Sequence, residues 1–147
     1  MTTATQEKAK TITYAELLAE QAARKAVETA KAQASPYETL FRAAVTMPDT
    51  GGGSTCLSLL LGMYNGERFK FNLTDLRRLD FCLHAAALAA LTDEVGSAHY
   101  VDQRIAYETG WPADAIQAKL EWLAFEQGIP GRLKKDQLPE KPGVFEF

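Results

Sequence analysis

The residue types best suited to chemistry sit together in Asp49-Thr50-Gly51 and the run that continues it, Gly52-Gly53-Ser54-Thr55. Asp-Thr-Gly is the sequence of an aspartic-protease loop. That mechanism needs two aspartates sharing one proton at close range, each on a hairpin of a β-rich fold. Strand signals are nearly absent here, and helical patterns stop just before the motif and start just after it. A phosphate loop of the Gly-x-x-x-x-Gly-Lys-Ser type needs its lysine and a preceding buried strand, and both are missing. What remains is a turn, with Ser54 or Thr55 capping the helix that follows. The N–H groups of Gly52, Gly53, Ser54 and Thr55 at that helix start form a weaker, anion-binding alternative.

Metal and nucleophile chemistry find less support. Cys82 and His84 are two apart on one helical stretch, which points them to different faces. Cys56 and His99 lie far apart, and no Cys or His pair has zinc-ligand spacing. Neither Ser54 nor Cys56 has a neighbour that would activate it. We therefore expect no metal, no cofactor and no catalytic residues.

A sharper pattern lies in IAYETGWPADAIQAKLEWLAFEQGI, residues 105–129. Ala106, Gly110 and Ile116 fall at the spacing of a helix-turn-helix. The segment is similar to part of a winged helix, but no wing hairpin follows. The outward positions of its second helix read as Ala113, Asp114, Gln117, Ala118 and Glu121, an acidic surface ill suited to phosphates. Packing is the expected use of this corner. Trp111, Trp122 and Phe125 then widen its apolar face.

These features must be positioned by helices. Thr13-Tyr14-Ala15-Glu16 is a capping box opening a helix over residues 13–34. Its apolar stripe is thin, so it flanks the body or packs on a partner chain. Ser35-Pro36-Tyr37-Glu38 reads as a second box with proline at the first helical position, and Pro48 ends that helix. A third helix runs from Ser54 or Thr55 to the Asn65-Gly66 stop, and Glu67–Phe71 reads as a short extended segment. Asn72-Leu73-Thr74-Asp75 opens the longest core helix, with Leu73, Leu76, Leu79, Leu83, Ala86, Ala87, Ala90 and Leu91 at helical spacing. Helices over 98–109 and 112–127 follow, joined at Gly110-Trp111. The expected fold is all-α: a bundle of about six helices with a helix-turn-helix-like C-terminal corner. Residues 1–12 read as disordered, 13–128 as one helical domain, and 129–147 as a Pro/Gly-rich tail ordered only against something.

Composition bounds the function. The chain has 147 residues, 46% of them hydrophobic, and a net charge of −3. One core suffices at this length. The deficit lies in residues 74–128, whereas RLKKDQLPEKP is mildly basic. The polar start, MTTATQEKAKT, lacks the apolar stretch of a signal peptide. The eleven-residue apolar run Phe81–Leu91 is too short for a bilayer. The chain is therefore expected in the cytoplasm, with Cys56 and Cys82 reduced.

The segment DTGGGSTCLSLLLGMYNGERFKFNLTDLRRLD resembles the central part of an uncharacterised family of small proteins from proteobacterial phages, plasmids and integrative elements. The matching residues are Asp49, Thr50 and Gly51, then Tyr64 and Asn65, then Phe71 to Leu76, with Asn72 where the pattern has Asp. The resemblance implies a mobile-DNA setting and no activity. From that setting follows the expected function: a non-enzymatic protein-binding module, of the kind that inhibits host defence as anti-CRISPR proteins do. It would present Asp114, Gln117, Glu121, Trp122 and Glu126 to a basic, nucleic-acid-handling partner. A homodimer through the Ala-rich helix 13–34 is also expected. The first alternative is a DNA-binding regulator neutralising phosphates with Arg132, Lys134 and Lys135; the second is a small enzyme built on the glycine run.

Overall fold

A computed structural model describes residues 11–147; of the segment expected to be disordered, residues 1–10 lie outside the described residues. Six α-helices form among the described residues: α1 (Tyr14–Ala34), α2 (Pro36–Thr46), α3 (Gly51–Tyr64), α4 (Phe81–Gly96), α5 (Val101–Thr109) and α6 (Ala113–Glu126). Short 3-10 turns occupy Leu73–Arg78 and Lys135–Gln137. The protein is all-α: no strand forms among the described residues, and no helix there is long and apolar enough to cross a membrane.

Local signals account for most helix ends. Thr13 and Glu16 make the reciprocal box expected at α1, with the Glu16 N–H donating to Thr13 Oγ1 at 3.1 Å. Gly110, at φ +81°, closes α5 in the left-handed conformation that glycine adopts without penalty. Four expectations are corrected. The second box does not form: Ser35 makes no side-chain cap, Glu38 turns to Arg42 at 3.2 Å, and the Glu38 N–H donates to Glu108 Oε1 of α5 at 3.1 Å. The long core helix is broken. Asn72 caps only a 3-10 turn, the chain extends at Leu79, and Asp80 caps α4 by accepting the Leu83 N–H at 2.9 Å. The segment Glu67–Phe71 starts in a turn and forms no strand: Asn65 Oδ1 accepts the N–H groups of both Glu67 and Arg68, and Phe69 to Phe71 follow without regular structure. Finally, α5 starts at Val101 and not at residue 98, since Ser97 Oγ holds the His99 N–H in a turn ahead of it.

Helix α2 is the hub, packed against α3, α4 and α5, while α6 closes on α3 and α5. Tyr37, Leu40 and Phe41 of α2 are fully buried with Leu57 and Leu60 of α3, Ile105 of α5, and Ile116 and Leu120 of α6. Ala86, Ala87 and Ala90, also buried, let α4 lie close. The tail is ordered against the body. Phe145 and Phe147 meet Trp111 edge-on, at 4.8 and 5.0 Å between ring centres, and both rings also reach Phe41.

Candidate binding groove

The glycine run is helix, not loop. Thr50 is the N-cap, and α3 begins at Gly51, three residues earlier than Ser54. The Thr50 side chain caps that start, and a Cβ on Gly53 would lie 1.7 Å from the Met47 carbonyl oxygen, so only glycine lets α3 pass the end of α2. The expected cap by Ser54 or Thr55 is thereby corrected, and so is the picture of free N–H groups. The Gly53 N–H donates to Thr50 Oγ1 at 3.0 Å and the Ser54 N–H to the Thr50 carbonyl at 2.9 Å. Thr55 is buried, its hydroxyl donating to the Gly51 carbonyl at 2.7 Å.

The residues expected to face a partner on α6 are divided by the fold. Glu121 is not outward. It is 6% exposed and held by both Arg68 guanidinium nitrogens at 2.7 and 2.8 Å, with the Tyr64 hydroxyl donating to it at 3.2 Å. Burial and Glu121 push the Tyr64 hydroxyl up to about 12. Ala118 is buried as well, against its expected outward position. The Trp122 indole donates to the Pro139 carbonyl at 2.9 Å, and Lys141 lies over its ring and 3.7 Å from Glu126. Gln117 donates to the buried Asp102 at 2.6 Å. Asp114 alone of the five is exposed with only a local bond, from its neighbour's N–H. Of the basic alternatives, Arg132 donates to the Gly128 and Ile129 carbonyls, and Lys134 and Lys135 are exposed beside them. Cys56 is buried, its thiol pushed up to about 12 by burial and by Asp80, and Cys82 is half-buried. Among the described residues, no three of His, Cys, Asp or Glu converge as metal ligands would.

The feature the sequence did not disclose lies on the opposite side. Three hollows there share walls. An open trough of about 640 Å³ runs along α4 past His84, Leu88 and Thr92. It shares Gln33, Ala89 and Asp93 with a recess of about 270 Å³ at the start of α2. That recess shares Arg104 and Tyr107 with a third hollow of about 300 Å³ reaching His99 and Gln103. Both histidines of the chain thus lie on one continuous groove. Its floor is apolar at Ala85, Ala89 and Pro36, and Leu88 and Tyr107 stand on it 49% and 85% exposed.

Polar groups cluster where the hollows meet. The Tyr37 hydroxyl donates to Asp93 Oδ2 at 2.9 Å, with Glu94 Oε2 at 3.5 Å. Arg104 donates from Nη2 to Asp93 Oδ1 at 3.3 Å; its Nε, 3.2 Å from Oδ2, meets it at an angle that makes no hydrogen bond. Glu108 holds the start of α2. Burial raises the pKa values of Glu94 and Glu108, opposed by the hydrogen bonds each accepts and by Arg104. Three carboxylates therefore surround one guanidinium. One signal could have marked the site: Leu88 stands off the apolar stripe of α4, in line with His84 and Thr92 at intervals of four.

Residues 34–121, more than half of the chain, match a family of unknown function (DUF7673), and the chain belongs to that family. The match covers α2 to α5, the helices that form most of the groove. No curated protein and no solved structure matches it.

Proposed function

We propose that this member of the DUF7673 family is a non-enzymatic protein-binding module whose α1–α4–α5 groove takes a basic, amphipathic segment of its partner. One observation carries the reading: an apolar floor bordered by Asp93, Glu94 and Glu108, with Arg104 the one cation paired with them among the described residues. A segment with apolar residues on one side and Lys or Arg on the other would bury Leu88 and complement the carboxylates. The reading extends to a mobile genetic element's inhibitor of a nucleic-acid-handling defence complex, because such partners carry basic segments. Support for that extension is the small size, the net charge of −3 and the acidic groove. A DNA-reading role for α6 is less favoured, since its outward side chains include Asp114 and Glu126.

The test is affinity capture from host lysate, with and without nuclease, using wild type and Leu88→Asp. Leu88 is half-exposed, so the substitution should cost about 1–2 kcal/mol through lost apolar burial and helix propensity, and urea unfolding checks that the variant stays folded. A protein retained through nuclease by wild type, lost by Leu88→Asp and cross-linked to the groove is the expected result. Capture that ignores Leu88→Asp, or that vanishes with nuclease and with Lys134→Ala/Lys135→Ala, sinks the reading and favours DNA binding.

A further inference from the structure

We infer that the cleft between Phe41 and Trp111 is a binding site for an extended Phe-x-Phe segment, and that residues 139–147 of this chain fill it as a releasable strap. The cleft shares no residue with the groove and is independent of it.

Both walls belong to the helical body. Phe41 lies on α2 beside the buried Leu40, and Trp111 follows the left-handed Gly110 that closes α5. The strap differs in kind. It has neither helix nor strand, and Pro139 and Pro142 favour an extended backbone. Successive side chains of an extended chain point to opposite sides. Val144 and Glu146 are accordingly exposed, while Phe145 and Phe147 turn to the body. Each of these rings meets both walls. Between ring centres, Phe145 lies 5.4 Å from Phe41 and 4.8 Å from Trp111; Phe147 lies 6.2 and 5.0 Å from them. The Arg42 guanidinium stands 5.5 Å over the Phe147 ring. The seated strap thus displays the chemistry that the cleft accepts: two phenyl rings, two residues apart, on an extended backbone.

Side chains hold the strap, and backbone does not. Among the described residues, one hydrogen bond joins residues 139–147 to the body, from the Trp122 indole to the Pro139 carbonyl. The Lys141–Glu126 pair is exposed and contributes little. Phe145 is half-buried, and Phe147 is 44% exposed. Release therefore breaks no backbone–backbone hydrogen bond. A segment with so few buried contacts opens at far less than the free energy of global unfolding. The walls stay in place when it leaves, because α2 packs on α3, α4 and α5, and α5 packs on α6. Residues 34–121, which match the family, contain both walls and none of the strap. A segment of another chain with two phenylalanines flanking one residue then competes for the vacated cleft.

A synthetic peptide of residues 138–147, titrated into the full chain, tests this. It should bind Phe145→Ala/Phe147→Ala saturably and shift the NMR resonance of the Trp111 indole N–H. Wild type should bind it at least about tenfold more weakly, because its own strap competes at an effective concentration of about 1 mM. The same peptide with both phenylalanines replaced by alanine should not bind. No binding to the double variant up to about 1 mM peptide overturns the inference, as does binding equal to that of wild type or indifferent to the peptide's phenylalanines. A double variant that no longer unfolds cooperatively also overturns it, because the two rings would then be this chain's core and not its ligand.

Discussion

Carboxylates on the α3–α6 side and on the α4–α5 side of the bundle meet different fates. On the first, Glu121 has both oxygens on Arg68, Tyr64 donates to it, and Arg68 also donates to the Gly131 carbonyl at 3.1 and 3.2 Å. Glu126 meets Lys141, and the tail lies across Trp122. The carboxylates of Glu121 and Glu126 are thus neutralised within the fold, and Asp114 at the start of α6 stays exposed. On the second, Asp93, Glu94 and Glu108 share one arginine, one tyrosine hydroxyl and the first N–H groups of α2. Negative charge is left over beside exposed apolar groups. An acidic stretch of sequence therefore stays a charged surface where the fold brings it fewer cations than carboxylates.

Removing the cation on each side probes this difference most strongly. Arg68→Ala strands a buried carboxylate and should cost about 3–5 kcal/mol. Arg104→Ala acts at a more open site, and water can screen what remains, so about 1–2 kcal/mol is expected. Urea unfolding of both variants measures this, and equal losses would break the comparison.

Two glycines sharpen the α3–α6 side. Gly53→Ala drives a methyl group into the Met47 carbonyl and should cost about 1–3 kcal/mol. Gly51→Ala, two residues earlier, meets nothing within 4 Å and should gain up to about 1 kcal/mol by helix propensity. Thermal midpoints of the pair report the sign of each. A loss at Gly51 as large as that at Gly53 would mean that the glycine run serves more than close packing.

The smallest effect belongs to the α4–α5 side and depends on pH. Burial raises the pKa of Glu94 in the folded chain above its unfolded value. Proton binding therefore favours the folded state in acid, and that contribution disappears as pH rises through the raised value. At neutral pH the ionised carboxylate opposes folding. Glu94→Gln should then be as stable as wild type or slightly more so at neutral pH, with the difference closing in acid. Calorimetry across the acid range checks this, and a Glu94→Gln chain that loses stability most at neutral pH contradicts it.

Much of the fold was legible in the sequence because its signals act over one turn of helix. Thr13 with Glu16, Pro36, Gly110 and the Asn65 stop each satisfy or remove backbone groups within four residues, and each works as expected. The failures share a cause. Glu38 lost its box to a carboxylate 70 residues away, and Glu121 left the surface for an arginine 53 residues away. Ser54 lost the capping role to Thr50, and Gly53 lies against the Met47 carbonyl, a close approach that a three-glycine run permits but does not announce. Of the candidate site, only the misplaced Leu88 and its alignment with His84 were visible in advance.

By itself, then, the sequence determined an all-α chain, most of its helices and their caps, since hydrogen bonding and periodicity along one chain decide those. Tertiary structure alone decided which carboxylates are neutralised, where the tail lies, and that His84, Asp93, Arg104 and Tyr107 border one groove. Charge pairing and concavity depend on which distant residues come within a few ångströms. That distance is set by how the helices pack, and no periodicity within a single helix encodes it.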